Sequence, residues 1–264
     1  MSKDHTSSVQ SVVRALSLLD ILAESPADCS LSEITKQAGL PTSTVHRLLT
    51  SLIQAGYVSQ NPDTTRYRLG HNLIRLSHKA TQKHDLIQLA RPWLEEMATQ
   101  TGETVNLTAR FDDSVIQLDH VDSPNMLRVS YPSGERFPLH ASASGKLFLA
   151  FLSSDERQRI LDRARHPFTQ ATIIDKRKLE AELERIRQQG YAIDDAEREV
   201  GVRCVAAPIR NARGEVAAAI SISGPSVRIT VQRLHELAVS IMKTACTVSE
   251  AWQTRTTSYT IRAR

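Results

Sequence analysis

The stretch "SLSEITKQAGLPTSTVHRLLTSLIQAGYV", residues 30–58, carries two amphipathic helical patterns on either side of a Gly-Leu-Pro turn. Ser30 predicts a helix N-cap, and Glu33 three residues on completes a capping box. The first helix buries Ile34 and Ala38 and stops at Gly39, the residue best suited to a left-handed C-terminal position. Pro41 then starts a helix through Val45, Leu48, Leu49, Leu52 and Ile53, which ends at Gly56. Upstream, Val12, Ala15, Leu16, Leu19 and Leu22 recur at helical spacing. Downstream, residues 57–59 and 66–69 read as two short strands about an Asn61-Pro62-Asp63 turn. Three helices followed by a hairpin make a winged helix-turn-helix over residues 9–70.

That arrangement leaves the start of the second helix of the motif outward. Thr42, Ser43, Thr44, His46 and Arg47 are therefore the candidate DNA-binding residues: hydroxyls and early amides suit phosphates, while His46 and Arg47 reach base edges. In the wing, Arg66 and Arg68 flank Tyr67 on one face, where they are expected to clamp the backbone or an adjacent minor groove.

Residues 71–85 read as a polar linker helix, and residues 86–253 as a second domain. There, strand-like runs (104–109, 114–121, 128–131, 204–209 and 216–223) mix with helices (86–100, 144–151, 155–165, 175–189 and 230–253). Mixing without strict alternation predicts an α+β fold with a largely antiparallel sheet. The polar, basic end "TRTTSYTIRAR", residues 254–264, is expected to lack order.

The net charge of +4 tolerates a polyanionic partner without requiring one. Cys29, Cys204 and Cys246 are odd in number and widely spaced, which argues against a disulfide framework or a cysteine-rich zinc site. No long apolar run predicts a membrane span, and the polar first ten residues lack a signal-peptide core, so a cytoplasmic location is expected.

The helix-turn-helix stretch followed by "RYRLG" resembles the DNA-binding domain of the IclR family of transcription regulators. The resemblance continues through "GETVNL", "LHASASGKLFLA", "GYAIDDAEREVGVRCVAAPI" and "AAISISGP", in the family's order and over nearly the whole chain. One departure is Thr35, where such motifs usually carry Ala; a cost to stability is expected there, without a change of fold.

The resemblance implies a GAF-like effector domain and a small organic acid or aromatic catabolite as ligand. It also implies a regulator acting as a homodimer or a dimer of dimers on double-stranded operator DNA, with repression favoured over activation. By similarity, Met126, Val129 and Phe137 form an apolar wall, Ala143 and Ser144 offer amides, and Ser221 and Ser223 donate hydroxyls. Asp194 and Cys204 complete that effector-binding set. The residues alone point the same way, since Ser221 and Ser223 share one strand face and residues 140–145 lead into a helix.

Two other readings use the same residues. Asp194, Cys204 and His140 could make a metal- or redox-responsive site, although none has ligand spacing along the chain. His140, Ser142, Ser144 and Asp194 hold the ingredients of a Ser-dependent hydrolase, but no Gly-x-Ser-x-Gly elbow is present. The expectation is therefore a regulator with neither catalytic function, cofactor nor resident metal.

Overall fold

In the computed structural model of the chain, residues 9–76, 85–163 and 165–262 are described. The chain divides into two compact units, residues 1–83 and 84–264. Of the expected linker helix, residues 71–76 are helical, and residues 77–84 lie outside the described residues.

In the first unit, α1 (Gln10–Glu24), α2 (Leu31–Ala38) and α3 (Thr42–Gln54) precede β1 (Val58–Gln60) and β2 (Tyr67–Leu69). The start of α2 is fixed by its capping box, in which the Glu33 amide donates to Ser30 Oγ and the Ser30 amide donates to Glu33 Oε2. Its end is fixed by Gly39 at φ 62°, whose amide donates to the Thr35 carbonyl. Leu18, Ile34, Val45 and Leu49, all fully buried, knit the three helices together. Val58 and Tyr67 bring the hairpin into that core, and Cys29 pairs with Tyr67 as a one-residue third ladder.

The second unit is built on a six-stranded antiparallel sheet in the order β5-β4-β3-β8-β7-β6. Its strands are β3 (Thr104–Phe111), β4 (Ser114–Val121), β5 (Arg136–Pro138), β6 (Ala192–Asp195), β7 (Val202–Arg210) and β8 (Val216–Pro225). Its helices are α4 (Asp85–Thr101), α5 (Ala143–Phe151), α6 (Ser154–Leu161), α7 (Lys176–Gln189) and α8 (Val231–Arg262). Because side chains alternate along a strand, the sheet has two distinct faces. Val105, Leu107, Val205, Ala207, Ile209, Ile220 and Ile222 pack on one face against α4 and α8. Ala192, Ala206, Ala219 and Val115 pack on the other, with α5 and Leu179, Leu183 and Ile186 of α7.

The α5 helix approaches the chain before it very closely. A Cβ on Gly145 would sit 2.5 Å from the Pro138 carbonyl oxygen and 2.6 Å from that of Leu139, so only glycine fits.

Three expectations need correction. Residues 128–131 form no strand, because the Tyr131 carbonyl accepts from the Gln117 side chain. Backbone pairing with β4 begins only at Gly134 and Glu135, which bond to Gln117, and continues through β5. No strand was expected between residues 189 and 204, yet β6 pairs Asp194 with Cys204 at the sheet edge. The backbone of α8 also stays helical through Arg262, well into the end expected to lack order. Extending an existing helix costs far less than starting one, so polar composition alone does not stop it.

Thr35 shows the physical origin of its expected cost: Oγ1 is buried without a hydrogen-bond partner among the described residues. An unsatisfied buried hydroxyl costs about 1–3 kcal/mol. Thr35→Ala should therefore raise the stability of the first unit by about 1 kcal/mol. Denaturant unfolding of the full chain, followed by circular dichroism, would measure this; a loss of stability would show that the Thr35 methyl packing outweighs its hydroxyl.

Candidate functional site

The first candidate surface is the outer face of α3. Thr42, Ser43, His46 and Arg47 are exposed and Thr44 is half-buried. The helix begins after Pro41, and no side chain caps it. The Thr44 amide donates to the Pro41 carbonyl, which leaves the amides of Thr42 and Ser43 available to an anion, with the macrodipole favouring negative charge there. The exposed stripe through Ser43 and Arg47 runs on to Thr50 and Gln54, positions that sequence reasoning missed although their i+7 and i+11 spacing gave the signal. The Thr50 hydroxyl donates to the His46 carbonyl at 2.9 Å, which leaves Gln54 as the freer polar group.

The two wing arginines are not equivalent. Arg66 Nε donates to the Asp28 carbonyl at 2.6 Å, and its Nη2 lies 2.8 Å from Glu33 Oε2. Arg66 therefore ties the wing to the capping box of α2. Arg68 is exposed, and its only described tie is a 3.2 Å bond to Ser59 Oγ.

The second candidate is a cavity of about 40 Å³ between the sheet and the start of α5. Asn106 and Thr108 of β3, Gln117 of β4, Cys204 of β7, and Ser221 and Ser223 of β8 form its floor. Tyr131, Phe137, Ser142, Ala143 and Ser144 close it. Asn106 Nδ2 donates to Ser223 Oγ at 3.1 Å and reaches Ser221 Oγ at 3.4 Å, while its Oδ1 is buried without a partner among the described residues. Ser142 caps α5 by accepting the Gly145 amide. The amides of Ala143 and Ser144 remain unbonded among the described residues, facing an acceptor-shaped gap.

Beside the cavity lies a buried charge cluster. Lys146, 1% exposed, is ion-paired to buried Glu197, with Glu182 3.8 Å away. Asp194, 3% exposed, accepts the Glu197 amide at 2.7 Å. Burial pushes the Asp194 carboxyl up to about 7, against the pull of Lys146. Burial likewise raises Glu197, opposed by Lys146, and lifts the Cys204 thiol well above its ordinary value, which slows its reaction as a nucleophile.

Of the nine residues expected around a ligand, Phe137, Ala143, Ser144, Cys204, Ser221 and Ser223 line the cavity together. Asp194 lies next to Cys204 in register but outside the lining. Val129 is buried nearby in sequence yet does not line it. Met126 stands apart, its side chain 99% exposed, because residues 124–127 bend outward before the wall forms at Tyr131. Asn106, Thr108 and Gln117 were missed, although polar residues alternating with apolar ones along β3 were legible as a second, polar face. Tyr131 and the buried Lys146–Glu197 pair were missed too, with no local pattern to signal them, and Ser142 was singled out only as a hydrolase ingredient.

The geometry bears on both other readings of these residues. The His140 Nε2 is 2.9 Å from the His166 carbonyl, so that nitrogen carries the proton, and no hydrogen bond joins His140 to Ser142 or Ser144. A serine lacking a hydrogen-bonded base is not activated. Among the described residues, no group of three or more His, Cys, Asp or Glu is placed to hold a metal ion. Nor is any described helix long and apolar enough to cross a membrane.

Residues 11–62 match the IclR helix-turn-helix domain, and residues 78–250 match the bacterial transcriptional regulator IclR C-terminal domain. The transcriptional repressor IclR of Escherichia coli is 38% identical over 250 residues, covering 94% of this chain and 91% of the relative. The HTH-type transcriptional regulator KdgR of Escherichia coli is 35% identical over 239 residues, 90% of each chain. Among solved structures, an IclR transcriptional regulator from Alicyclobacillus acidocaldarius superposes with a TM-score of 0.84 at 28% identity, covering 93% of this chain and 99% of that one. An IclR homologue from Microbacterium hydrocarbonoxydans, complexed with 4-hydroxybenzoate, gives a TM-score of 0.77 at 26% identity, covering 90% and 99%.

The buried carboxyl makes a pH prediction with a definite sign. Asp194 binds its proton more tightly folded than unfolded, so its contribution is fully present below about pH 4 and is lost as pH rises through about 7. Stability curves of the wild type and Asp194→Asn should therefore diverge between those limits, with the wild type losing on the order of a few kcal/mol relative to the variant. Parallel curves in urea titrations across that window would mean that Asp194 ionises without penalty.

Proposed function

The chain belongs to the IclR family of bacterial transcriptional regulators, and we propose that it is a cytoplasmic repressor whose grip on operator DNA is set by a small organic acid or aromatic catabolite. The observation that carries this reading is the pairing, in one chain, of an uncapped, exposed recognition helix with a cavity of unbonded amides and hydroxyls. In the DNA-binding role, the amides at the start of α3 with Thr42, Ser43 and Thr44 take phosphates, and His46 and Arg47 read base edges. Arg68 supplies the wing's phosphate contact, while Arg66 holds the wing in place.

In the effector-binding role, the amides of Ala143 and Ser144 and the hydroxyls of Ser221 and Ser223 take the ligand's oxygens. Phe137 and Tyr131 cover its carbon skeleton. At about 40 Å³ the cavity has room for a few waters and for no such acid, so binding one requires the covering segment to move. A ligand that binds an opened arrangement better shifts the population towards it, and DNA affinity follows if the two arrangements differ in operator binding.

Assembly follows from α1, where Val9, Val12, Val13 and Leu16 are each more than half exposed along one helix. A second copy covering that stripe makes a homodimer, which reads two half-sites where one winged helix covers too few base pairs.

Fluorescence polarisation against DNA from the protein's own promoter region, with 4-hydroxybenzoate and pyruvate among the acids added, tests the reading. Arg47→Ala should cost about 1–3 kcal/mol of binding to one preferred fragment, and Arg68→Ala should lower the salt slope by about 1. Arg66→Ala should instead lower the melting temperature. Affinity no greater than for random DNA would sink the regulator reading.

A further inference from the structure

Arg198, in the loop after β6, is placed unlike any other cation in the second unit. Its guanidinium carbon lies 4.3 Å from the Phe137 ring centroid and 4.7 Å from that of Tyr131, the two aromatic rings that wall the cavity. Its Nη2 lies 3.5 Å from Glu135, on the same covering segment. Three contacts from one side chain thus pin residues 131–137 down over the cavity. Nη1, however, is buried and has no hydrogen-bond partner among the described residues. A charged donor left without an acceptor in a buried place is costly, so the arrangement is poised for a group that supplies one.

The main chain of the same residue faces the other way in function. The amides of Glu197 and Arg198 both hold the Asp194 carboxylate, and Glu197 is locked by Lys146. The loop carrying Arg198 is therefore anchored, and only its side chain is free to change partner.

We propose that Arg198 is the gate of the cavity and its specificity-determining residue: it latches the Tyr131–Phe137 wall over the cavity and admits ligands bearing an anionic acceptor for Nη1. This rests on reading the cavity as the effector site. It adds that charge selection resides in the cover and not in the floor, whose lining residues are all uncharged. The charged groups around the gate are Glu135 on the cover, Asp194 at the end of β6, Glu197 and Glu199 on its own loop, and Lys146 on α5.

Cys204 allows the gate to be read without knowing the effector, because its thiol lines the cavity. The probes are two small methanethiosulfonates, one carrying a sulfonate and one a trimethylammonium group, with modification of each cysteine followed by peptide mass spectrometry on the full chain. Exposed Cys246 serves as the internal reference, and buried Cys29 lies in the other unit. In the wild type, Cys204 should react slowly and prefer the sulfonate reagent. In Arg198→Ala, both reagents should modify Cys204 at least tenfold faster, with the preference for the anion gone.

Chemistry alone predicts the opposite direction, since removing the nearby cation would raise the thiol further and slow the reaction. Arg198→Lys, which keeps charge but not the planar stack, should open the cavity and retain the anion preference. Unchanged or slower modification of Cys204 in both variants, with melting temperatures near that of the wild type, would overturn the gate. The labelling does not pass through operator binding, so a gate that responds while no acid alters DNA affinity would leave the gate standing and remove the effector reading.

Discussion

A lysine sits at the centre of the second unit with 1% of its side chain exposed, and the ligand end of the molecule is arranged around that fact. Lys146 belongs to α5, whose first amides open on the cavity, and its partner Glu197 belongs to the β6–β7 loop. Desolvating a cation and a carboxylate is costly unless they meet closely, so the pair holds helix and loop in one relation. The polar groups of the β6–β7 loop beside the cavity take their positions from that relation. The Glu197 amide fixes Asp194, Thr169 and Thr172 donate to the Glu197 carbonyl, and Arg198 is carried over the aromatic wall. A buried ion pair adds little net stability compared with apolar packing, but it tolerates few alternative arrangements.

The same economy of dual use appears at the DNA end. Glu33 completes the capping box of α2 and, with the same carboxylate oxygen, accepts from Arg66 of the wing. One acidic residue thereby fixes the start of a helix and the position of a hairpin more than thirty residues away in sequence. The recognition helix is treated in the opposite manner: α2, α5, α6 and α7 each begin with a side-chain cap, whereas α3 begins with Pro41 and no cap. A helix whose first amides are left open by its own sequence is suited to have them satisfied by phosphate.

The N-terminal unit was legible almost residue by residue, because its signals are local. The capping box at Ser30 and Glu33, the left-handed Gly39 and the apolar spacing of Val45 and Leu49 each act over fewer than five residues or about one helical period. The wing was legible in outline, yet Arg66 and Arg68 looked alike in sequence. Their different duties depend on where Glu33 and Asp28 lie in space. In the second unit, Ser221 and Ser223 were legible as one face of a strand, and by the same alternation Asn106 and Thr108 were available to be found. Met126 was misplaced, since no local rule says which way an irregular segment bends.

What the sequence by itself determined is the helices and the long strands, the winged helix-turn-helix and the family, because capping, periodicity and motif order are written in adjacent residues. Only the tertiary structure decided which polar residues meet. The cavity draws its floor from four strands distant in sequence, and the burial that pushes Asp194 up to about 7 is a property of everything packed around it. Lys146, in an apolar helix, reads as a solvated charge until α5 is seen enclosed between the sheet and α7, where desolvation leaves Glu197 as its necessary partner.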